Sequence, residues 1–321
     1  MIKRISILLM ALVPTMLWAQ FAPEAGVAGT TAMHADSSAF VAWATGCTVD
    51  RGPQQIDDLS LGLVSYGADD DALGKADNMV VSLGDGGTAV LTFASPICNA
   101  QGPDFAVFEN PFHNTPHCFL ELAFVEVSSD GENYFQFPAV TNVPSDVQMG
   151  GFGVMEASLI HNFAGKYEVM YGTPFDLDDL EDDAKLDKSN ITHIRLVDVI
   201  GTIDPEYATY DSEGHIVNDP WPTPFWSSGF DLDAVGIIHD QAHNDVPENG
   251  VPAVTVYPNP AKDRLFVKGE NIQSVEVFNI VGQQVMTTTE TTIELGELNA
   301  GIYFVRIVAD GKAMTQRIVK Q

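Results

Sequence analysis

The sequence predicts an all-β protein in which an antiparallel β-sandwich body precedes a small C-terminal β-sandwich. Short runs rich in Val, Phe, Ile and Leu recur along the body, and turn formers such as Gly84-Asp85-Gly86-Gly87 separate them. Runs such as LELAFVEV are apolar on both faces, which is typical of central strands covered on both sides. The predicted body strands are Val80–Leu83, Thr88–Phe93, Asp104–Glu109, Phe119–Ser128, Tyr134–Pro138, Ile191–Val199 and Phe230–Ile238.

The start of the chain predicts a secretory signal peptide over residues 1–19. The basic start Met1-Ile2-Lys3-Arg4 precedes an apolar run of about 14 residues, whereas a membrane-spanning helix needs roughly 20. Cleavage after Ala19 is expected, and no other stretch is apolar enough to span a membrane. We therefore expect a soluble exported protein that does not span the membrane.

The rest of the chain divides into a body (20–238), a linker (239–253) and a tail (254–321). The linker is polar and broken by two prolines. Within the body, residues 176–186 predict one helix. The predicted tail strands are Val254–Tyr257, Arg264–Lys268, Ser274–Asn279, Thr291–Glu294, Gly301–Ala309 and Ala313–Lys320, with hairpin turns at 280–283 and 309–312.

The body carries nearly all of the charge. The formal net charge of the chain is −29, and residues 254–321 contain seven basic and seven acidic residues. Such an acidic body repels nucleic acid and anionic membranes, and it attracts divalent cations. Cation binding and a simple adaptation for solubility explain this composition equally well.

The three cysteines permit one disulfide in an exported protein. Cys47 and Cys98 lie in turn-rich sequence and are the expected pair, whereas Cys118 begins an apolar run and is expected to be buried. Three reduced thiols are the alternative.

The tail resembles a known family. VYPNPAKDRLFV, VEVFNIVGQQV and LNAGIYFVRIVADGKAMTQRIVK follow one another at the extreme C-terminus, and residues 254–321 are similar to the type IX secretion system C-terminal sorting domain of the Bacteroidetes. The resemblance implies recognition by the secretion machinery, removal of the tail by a sortase, and a body that is released or attached to the outer-membrane surface.

Six residues are the expected elements of this sorting signal. The two prolines stiffen the start of the tail because proline fixes φ and lacks a backbone donor, and the two glycines occupy a turn and the start of a strand where small residues are expected. The six are Tyr257, Pro258, Asn259, Pro260, Gly282 and Gly301.

The body resembles an uncharacterised family of bacterial cell-surface proteins. The resemblance rests on DFAVFENPF, FLELAFVEVSSDGENYFQFPA, ITHIRLVDVIGTIDP and NDPWPTPFWSSGFDLDAVG. The spacing of strands and turns around VEVSSDGENY and HIRLVDV is also similar to that of the galactose-binding-like jelly roll, and this resemblance implies a jelly-roll body. A fold-level likeness does not imply a function.

An aromatic loop is the candidate ligand site. Trp221, Phe225 and Trp226 stand in the proline-rich segment PWPTPFWSSGF, and rigidly held rings suit stacking on the apolar face of a glycan or another flat ligand. The alternative is that these rings plug the open end of the sandwich.

Asp104, Glu109, Asp231 and Asp233 are the candidate ligands of a structural calcium ion, because Ca²⁺ prefers carboxylate and carbonyl oxygens. A weaker pattern combines Glu109 with two imidazoles in ENPFHNTPH. The prolines of that segment exclude a regular helix, so a surface loop is the favoured interpretation. Arg195 lies in an apolar strand and is expected to pair with Asp198 or Asp233.

No catalytic motif is recognisable, and acidic pairs such as Glu121 with Asp198 or Asp204 with Glu206 are too numerous to distinguish. Two hypotheses remain. The first is a non-catalytic surface protein that binds a glycan or another extracellular ligand. The second is a secreted hydrolase acting on polysaccharide or protein. The lack of a catalytic motif favours the first.

Overall fold

The structure, a computed structural model, describes residues 21–243, 254–269, 271–280, 282–309 and 312–321. The predicted signal peptide and residues 244–253 of the predicted linker lie outside these ranges. The chain divides into two compact units, residues 1–245 and 246–321. No helix in the described part of the chain has the length and apolarity needed to cross a membrane.

The described part of the body is built from short strands and four 3₁₀ turns. The strands are β1 (Met33–His34), β2 (Ala42–Trp43), β3 (Gly46–Asp50), β4 (Val81–Ser82), β5 (Thr88–Ile97), β6 (Phe105–Glu109), β7 (Phe112–Asn114), β8 (His117–Phe119), β9 (Ala123–Ser128), β10 (Phe135–Gln136), β11 (Val140–Thr141), β12 (Ile160–His161), β13 (Tyr171–Phe175), β14 (Ile191–Asp198) and β15 (Asp231–Ile237). The 3₁₀ turns are Leu59–Leu61, Asp69–Ala72, Ala157–Leu159 and Leu177–Asp179. The helix predicted over 176–186 is therefore wrong: this acidic segment has no continuous apolar stripe and forms a single 3₁₀ turn.

Eight strands form two antiparallel sheets in jelly-roll order. In one sheet neighbouring strands follow the order β4-β15-β6-β13, and in the other they follow the order β5-β14-β9-β10. Strands β1 and β2 extend the first sheet, and β3 extends the second. The chain thus crosses between the sheets at nearly every connection, as in a jelly roll. The predicted all-β sandwich is confirmed.

The central strands are buried on both faces because other parts of the chain cover each sheet from outside. Val107 of β6 points into the core between the sheets, whereas the next residue, Phe108, points outward and packs 5.5 Å from Trp43. On the second sheet Phe124 points outward and packs 5.2 Å from Phe163. Three apolar layers result, which explains the runs that are apolar at successive positions.

Cys47 and Cys98 are not joined by a disulfide, so the predicted bridge is wrong. Cys47 lies opposite Leu91 in the pairing of β3 with β5. Cys98 lies seven residues after Leu91 along the chain. At about 3.3 Å per residue, the two thiols lie too far apart to bond. Cys118 is buried, as expected.

Arg195 pairs with Glu126 instead of the predicted Asp198 or Asp233. The register between β14 and β9 places Glu126 directly opposite Arg195. The guanidinium also lies 3.9 Å from the centroid of the Tyr134 ring, which adds a cation–π contact. The prediction failed because cross-strand neighbours are set by register.

The tail is a second, smaller β-sandwich with its own apolar core. The strands are β16 (Thr255–Tyr257), β17 (Arg264–Lys268), β18 (Ile272–Asn279), β19 (Gln284–Thr288), β20 (Thr292–Glu294), β21 (Gly301–Ala309) and β22 (Lys312–Lys320). One sheet has the order β16-β17-β20 and the other β19-β18-β21-β22, and the buried residues of both form a single cluster. Hairpins form at both predicted positions, through the pairing of β18 with β19 and of β21 with β22. In the first hairpin the partner strand β19 is absent from the predicted strands, and the predicted neighbour, β20, pairs with β17 instead.

Asn259 fastens the beginning of the tail to its last strand. Its side-chain amide donates to the Arg317 carbonyl (3.0 Å) and its side-chain oxygen accepts from the Val319 amide (2.9 Å). The Ala261 amide donates to the Val319 carbonyl (2.8 Å) next to it. The YPNP segment is therefore tied to the C-terminal strand by specific hydrogen bonds.

We expect Asn259→Ala to destabilise the tail by about 1–2 kcal/mol, because two hydrogen bonds of about 1 kcal/mol each are lost. For a unit of this size each kcal/mol lowers the melting temperature by roughly 4–8 °C, so the melting temperature of the tail should fall by roughly 4–16 °C. Calorimetry of the full chain measures the change, and Thr255→Ala, at an exposed strand position, is the control. An unchanged tail transition would contradict this role for Asn259.

A candidate pocket of aromatic rings and buried carboxylates

Several carboxylates meet at one end of the jelly roll because their strands begin or end there. Glu109 is the last residue of β6, and Asp231 is the first residue of the neighbouring antiparallel strand β15. In the other sheet Asp198 is the last residue of β14, and Glu121 lies just before the start of β9 at the same end of the sheet. The Phe230 amide donates to Asp198 (2.7 Å), so the two sets of strand ends adjoin.

These four residues and three further acidic residues nearby form a group that we call the carboxylate cluster. All are buried, and no Lys, Arg or His among the described residues forms a salt bridge with any of them. Burying ionised carboxylates without a cation is costly. The members are Asp85, Glu109, Glu121, Asp198, Asp219, Asp231 and Asp233.

Burial therefore raises the pKa values throughout the cluster. Desolvation is the largest cause for Glu121, whose pKa lies well above its usual range, and repulsion from four neighbouring carboxylates adds to it. The pKa values of Glu109, Asp198 and Asp219 are raised well above the ordinary range, again mainly by desolvation. Desolvation raises the pKa of Asp231 to about 7.

Hydrogen bonding separates the structural members of the cluster from those that remain available. Four members accept backbone amides and so hold loops in place: Asp85, Asp198, Asp219 and Asp233. Glu109 differs, because its buried Oε2 has no hydrogen-bond partner. Asp231 bonds to the Ser82 hydroxyl, and no hydrogen bond from a described residue reaches the Glu121 carboxylate. Two of these three line a pocket.

The pocket has a volume of about 210 Å³, and its walls combine four phenyl rings with the Glu121 and Asp231 carboxyls. The rings are in contact in sequence, with centroids 4.9 Å, 6.3 Å and 6.0 Å apart. Three of them are about half exposed or more, so their faces are available to a ligand. In order of contact they are Phe112, Phe119, Phe152 and Phe225. A larger cavity of about 590 Å³ is lined by other residues of the body, among them His161, Lys166 and Asp179.

The three predicted ligand residues do not form one platform. Trp221 is half-buried and its indole N–H donates to Asp85 (3.2 Å). Phe225 lines the pocket, whereas Trp226 is 66% exposed and is not among its lining residues. Sequence reasoning did not find the other three rings: Phe112 and Phe119 lie opposite each other on the hairpin of β7 and β8, and Phe152 comes from a separate loop. The available signal was Glu121, an isolated acid inside the apolar run 118–125.

The structure brings together three of the four predicted calcium ligands. Glu109, Asp231 and Asp233 are electrostatic neighbours. Asp104 precedes the opposite end of β6, where it accepts the Leu177 amide (2.8 Å) and pairs with His239 (2.8 Å). About 16 Å separates the two ends of this stretch at 3.3 Å per residue. Asp104 is therefore a structural residue of the other end of the sandwich.

The predicted sorting residues lie on the surface of the tail. The Tyr257 ring is about half exposed and packs 5.7 Å from Phe266, and the residues between Tyr257 and Ala261 are exposed. Gly282 has φ 79°, a left-handed conformation that favours glycine. Gly301 is different, because an added Cβ would meet only Tyr303 at 3.9 Å. The predicted need for a small residue is therefore not supported at Gly301.

Residues 255–321 match the family described as "Secretion system C-terminal sorting domain". The tail is accordingly a type IX secretion sorting domain, and it marks the chain for export to the cell surface or the extracellular space. A comparison with curated proteins finds no match.

Two solved structures show distant similarity. One is the Ruminococcus gnavus beta-glucuronidase, with 12% identity, a TM-score of 0.22 and coverage of 87% of this chain and 44% of that chain. The other is the BSP domain of a biofilm associated protein, with 11% identity, a TM-score of 0.17 and coverage of 89% and 52%. The chain thus spans about half the length of each, and TM-scores this low carry no argument about fold or function.

In a buffer that contains a chelator, we expect the melting temperature of the body to fall as the pH rises from 5 to 8. The pKa of Asp231 is raised from an ordinary 3.8 to about 7 and that of Asp233 to about 6. The folded state therefore binds more protons than the unfolded state between these values, so stability is lost as the pH rises through the folded pKa. For Asp231 the loss between pH 5 and pH 8 is on the order of 2–3 kcal/mol, because about two pH units of this range lie below its raised pKa.

The Asp231→Asn variant should show a flatter dependence on pH, because its side chain stays neutral in both states. Asp146→Asn, which changes an exposed acid, is the control and should follow the wild-type curve. Thermal unfolding followed by circular dichroism at each pH is the measurement. A wild-type melting temperature that increased over this range would contradict the predicted pKa shifts.

Proposed function

We propose that the exported body binds an extracellular saccharide, non-catalytically, in the pocket formed by the four phenyl rings, Glu121 and Asp231. The observation that carries this proposal is the combination of partly exposed ring faces and buried carboxyl groups around one cavity. Aromatic faces stack on the C–H face of a sugar, while a few fixed polar groups select its orientation.

The chemistry of the pocket favours a neutral, hydroxyl-rich ligand. The carboxylate cluster repels anions, which argues against phosphate esters and uronic acids. With a pKa near 7 for Asp231, the carboxyl groups both donate and accept hydrogen bonds at neutral pH, as sugar hydroxyls require. The volume of about 210 Å³ is below the usual 300–1,000 Å³ of sites for drug-sized ligands, so we expect one sugar unit to be held.

Export determines where this binding takes place. The sorting domain implies contact with the type IX secretion machinery. We further propose that a sortase removes the tail, that the producing organism belongs to the Bacteroidetes, and that the body then acts at the outer-membrane surface or in the medium.

We also propose that calcium balances part of the cluster's charge, with Glu109, Asp231 and Asp233 as its protein ligands. The unpartnered buried Oε2 of Glu109 fits this proposal, as does the all-oxygen donor set. No three carboxylates of the cluster have oxygen atoms within 4.8 Å of one another in the described residues. Glu109, Asp231 and Asp233 would therefore have to move closer together to share one ion, and water or sugar oxygens would complete its coordination.

A secreted glycoside hydrolase is the second candidate. The observation in its favour is that Glu121 and Asp231 face one pocket and that burial raises the pKa of both carboxyl groups. Acid–base cleavage of a glycosidic bond requires a pair of carboxyl groups, one of which keeps its proton near neutral pH.

A glycan array with the purified protein tests the main proposal. We expect Phe112→Ala combined with Phe225→Ala to weaken binding to any glycan hit by at least tenfold, because stacking area is lost. Trp226→Ala, at an exposed ring outside the pocket, should leave binding unchanged. Equal effects of the two changes, or retention of binding by the double variant with its fold intact, would contradict the pocket assignment.

The same hits separate binding from hydrolysis. Incubation with wild-type protein should release no reducing ends if the body only binds. Glycan cleavage that is abolished by Glu121→Gln, while binding persists, would replace the main proposal with the hydrolase.

We expect calcium to raise the melting temperature of the body, and a chelator to lower it, more strongly at pH 8 than at pH 5. At pH 5 protons compete with the ion for the carboxylates. Calorimetry with and without calcium measures the shift, Asp231→Asn should reduce it, and Asp104→Asn should keep the calcium-dependent increase even if its baseline stability falls. A melting temperature that does not respond to calcium at either pH would exclude the proposed ion.

A further inference from the structure

A second cluster of possible ligands lies on the hairpin formed by β7 and β8. His113 and Cys118 are directly opposite each other in this hairpin, and His113 Nδ1 lies 3.6 Å from Cys118 Sγ. Glu168 reaches the same place from the segment before β13, which is tied to the hairpin because the Val169 amide donates to the Pro111 carbonyl (2.9 Å). One imidazole nitrogen, one sulfur and one carboxylate oxygen thus lie within 4.8 Å of one another.

We propose that His113, Cys118 and Glu168 bind a zinc ion. Zinc takes sulfur, nitrogen and carboxylate oxygen ligands in tetrahedral geometry, with bonds of about 2.0–2.3 Å. Such bonds place ligand atoms about 3.3–3.8 Å apart, so the observed triad needs only small side-chain movements. Binding converts the Cys118 thiol to a thiolate and releases its proton to solvent.

The donor set separates this site from the proposed calcium site. Thiolate and imidazole ligands select zinc over calcium and magnesium, which prefer oxygen. A cavity of about 210 Å³ borders all three residues and also Glu24, which leaves room for a water molecule or another group as fourth ligand. His113 is exposed, so an ion can reach the site from solvent.

The neighbouring polar groups are arranged differently from the pattern in the sequence. His117, which the spacing in ENPFHNTPH pairs with His113, instead contacts Glu24 (2.7 Å). Glu109 belongs to the carboxylate cluster. In place of these two residues, the hairpin register sets Cys118 beside His113, and the segment before β13 supplies Glu168. No spacing rule in the sequence connects these three residues.

The two faces of the hairpin serve different sites. Side chains alternate across a strand, so the pair Phe112–Phe119 faces the aromatic pocket while the pair His113–Cys118 faces Glu168. A bound zinc ion would cross-link the hairpin to the segment before β13. The inference does not depend on the proposed saccharide, since it rests on the opposite face.

Cobalt titration of the full chain tests the proposal. The protein is reduced, freed of metal and titrated with Co²⁺, which substitutes for zinc and reports its ligands by absorption. We expect one ion per chain, a near-ultraviolet thiolate-to-cobalt charge-transfer band, and loss of the band when Zn²⁺ is added. Absence of the band in the wild-type protein would overturn the proposal, and cobalt bound only by carboxylates would produce no such band.

Variants assign the ligands. Cys118→Ser should abolish the charge-transfer band, whereas Cys47→Ser should retain it. His113→Asn should weaken cobalt binding at least tenfold, because loss of a ligand should cost no less than loss of a supporting contact, and His117→Asn is its matched control. Glu168→Gln should keep the thiolate band, shift the visible bands and weaken binding at least tenfold.

If Cys118→Ser does not fold, as judged by circular dichroism, the His113 and Glu168 variants decide the question. Wild-type affinity in both of them, or loss of the band in Cys47→Ser, would overturn the assignment. If Cys118 and His113 only share a hydrogen bond and bind no metal, the wild-type protein should show no charge-transfer band, so the two interpretations are distinguishable.

Discussion

The central constraint on this protein is that acidic side chains are buried at one end of an apolar sandwich, where no basic residue in the described part of the chain forms a salt bridge with them. Desolvation and mutual repulsion oppose ionisation there, so protons, a cation or ligand hydroxyls must offset the charge. Folding, pH response and the proposed ligand binding therefore involve the same few groups, among them Glu121 and Asp231. Members of the cluster that accept backbone amides hold loops in place, whereas Glu109 keeps an unpartnered oxygen.

The jelly-roll topology explains why these groups meet. Antiparallel neighbours place the end of one strand beside the start of the next, so Glu109 and Asp231 adjoin although more than a hundred residues separate them. The covering segments that bury the outer faces of the sheets also deliver rings to the pocket, such as Phe152. The three apolar layers stabilise the fold, and this stability offsets the cost of burying the carboxylates when no ion or ligand is bound.

The tail is physically different from the body. It is balanced in charge, has its own core, and ties its first segment to its last strand through Asn259. A sorting domain with a separate core can be recognised without involving the chemistry of its cargo. The sorting signal and the proposed binding pocket therefore belong to different units of the chain.

The sequence by itself determined the all-β class, most strand positions, both tail hairpins and the type IX tail, because these depend on local alternation, turn residues and contiguous motifs. Register and long-range packing decided the rest. They paired Arg195 with Glu126, separated Cys47 from Cys98, placed Asp104 away from Glu109, and set His113 opposite Cys118. The pocket shares the same origin, because the fold brings Phe152 and Phe225 to the hairpin rings that lie near Glu121 in the sequence.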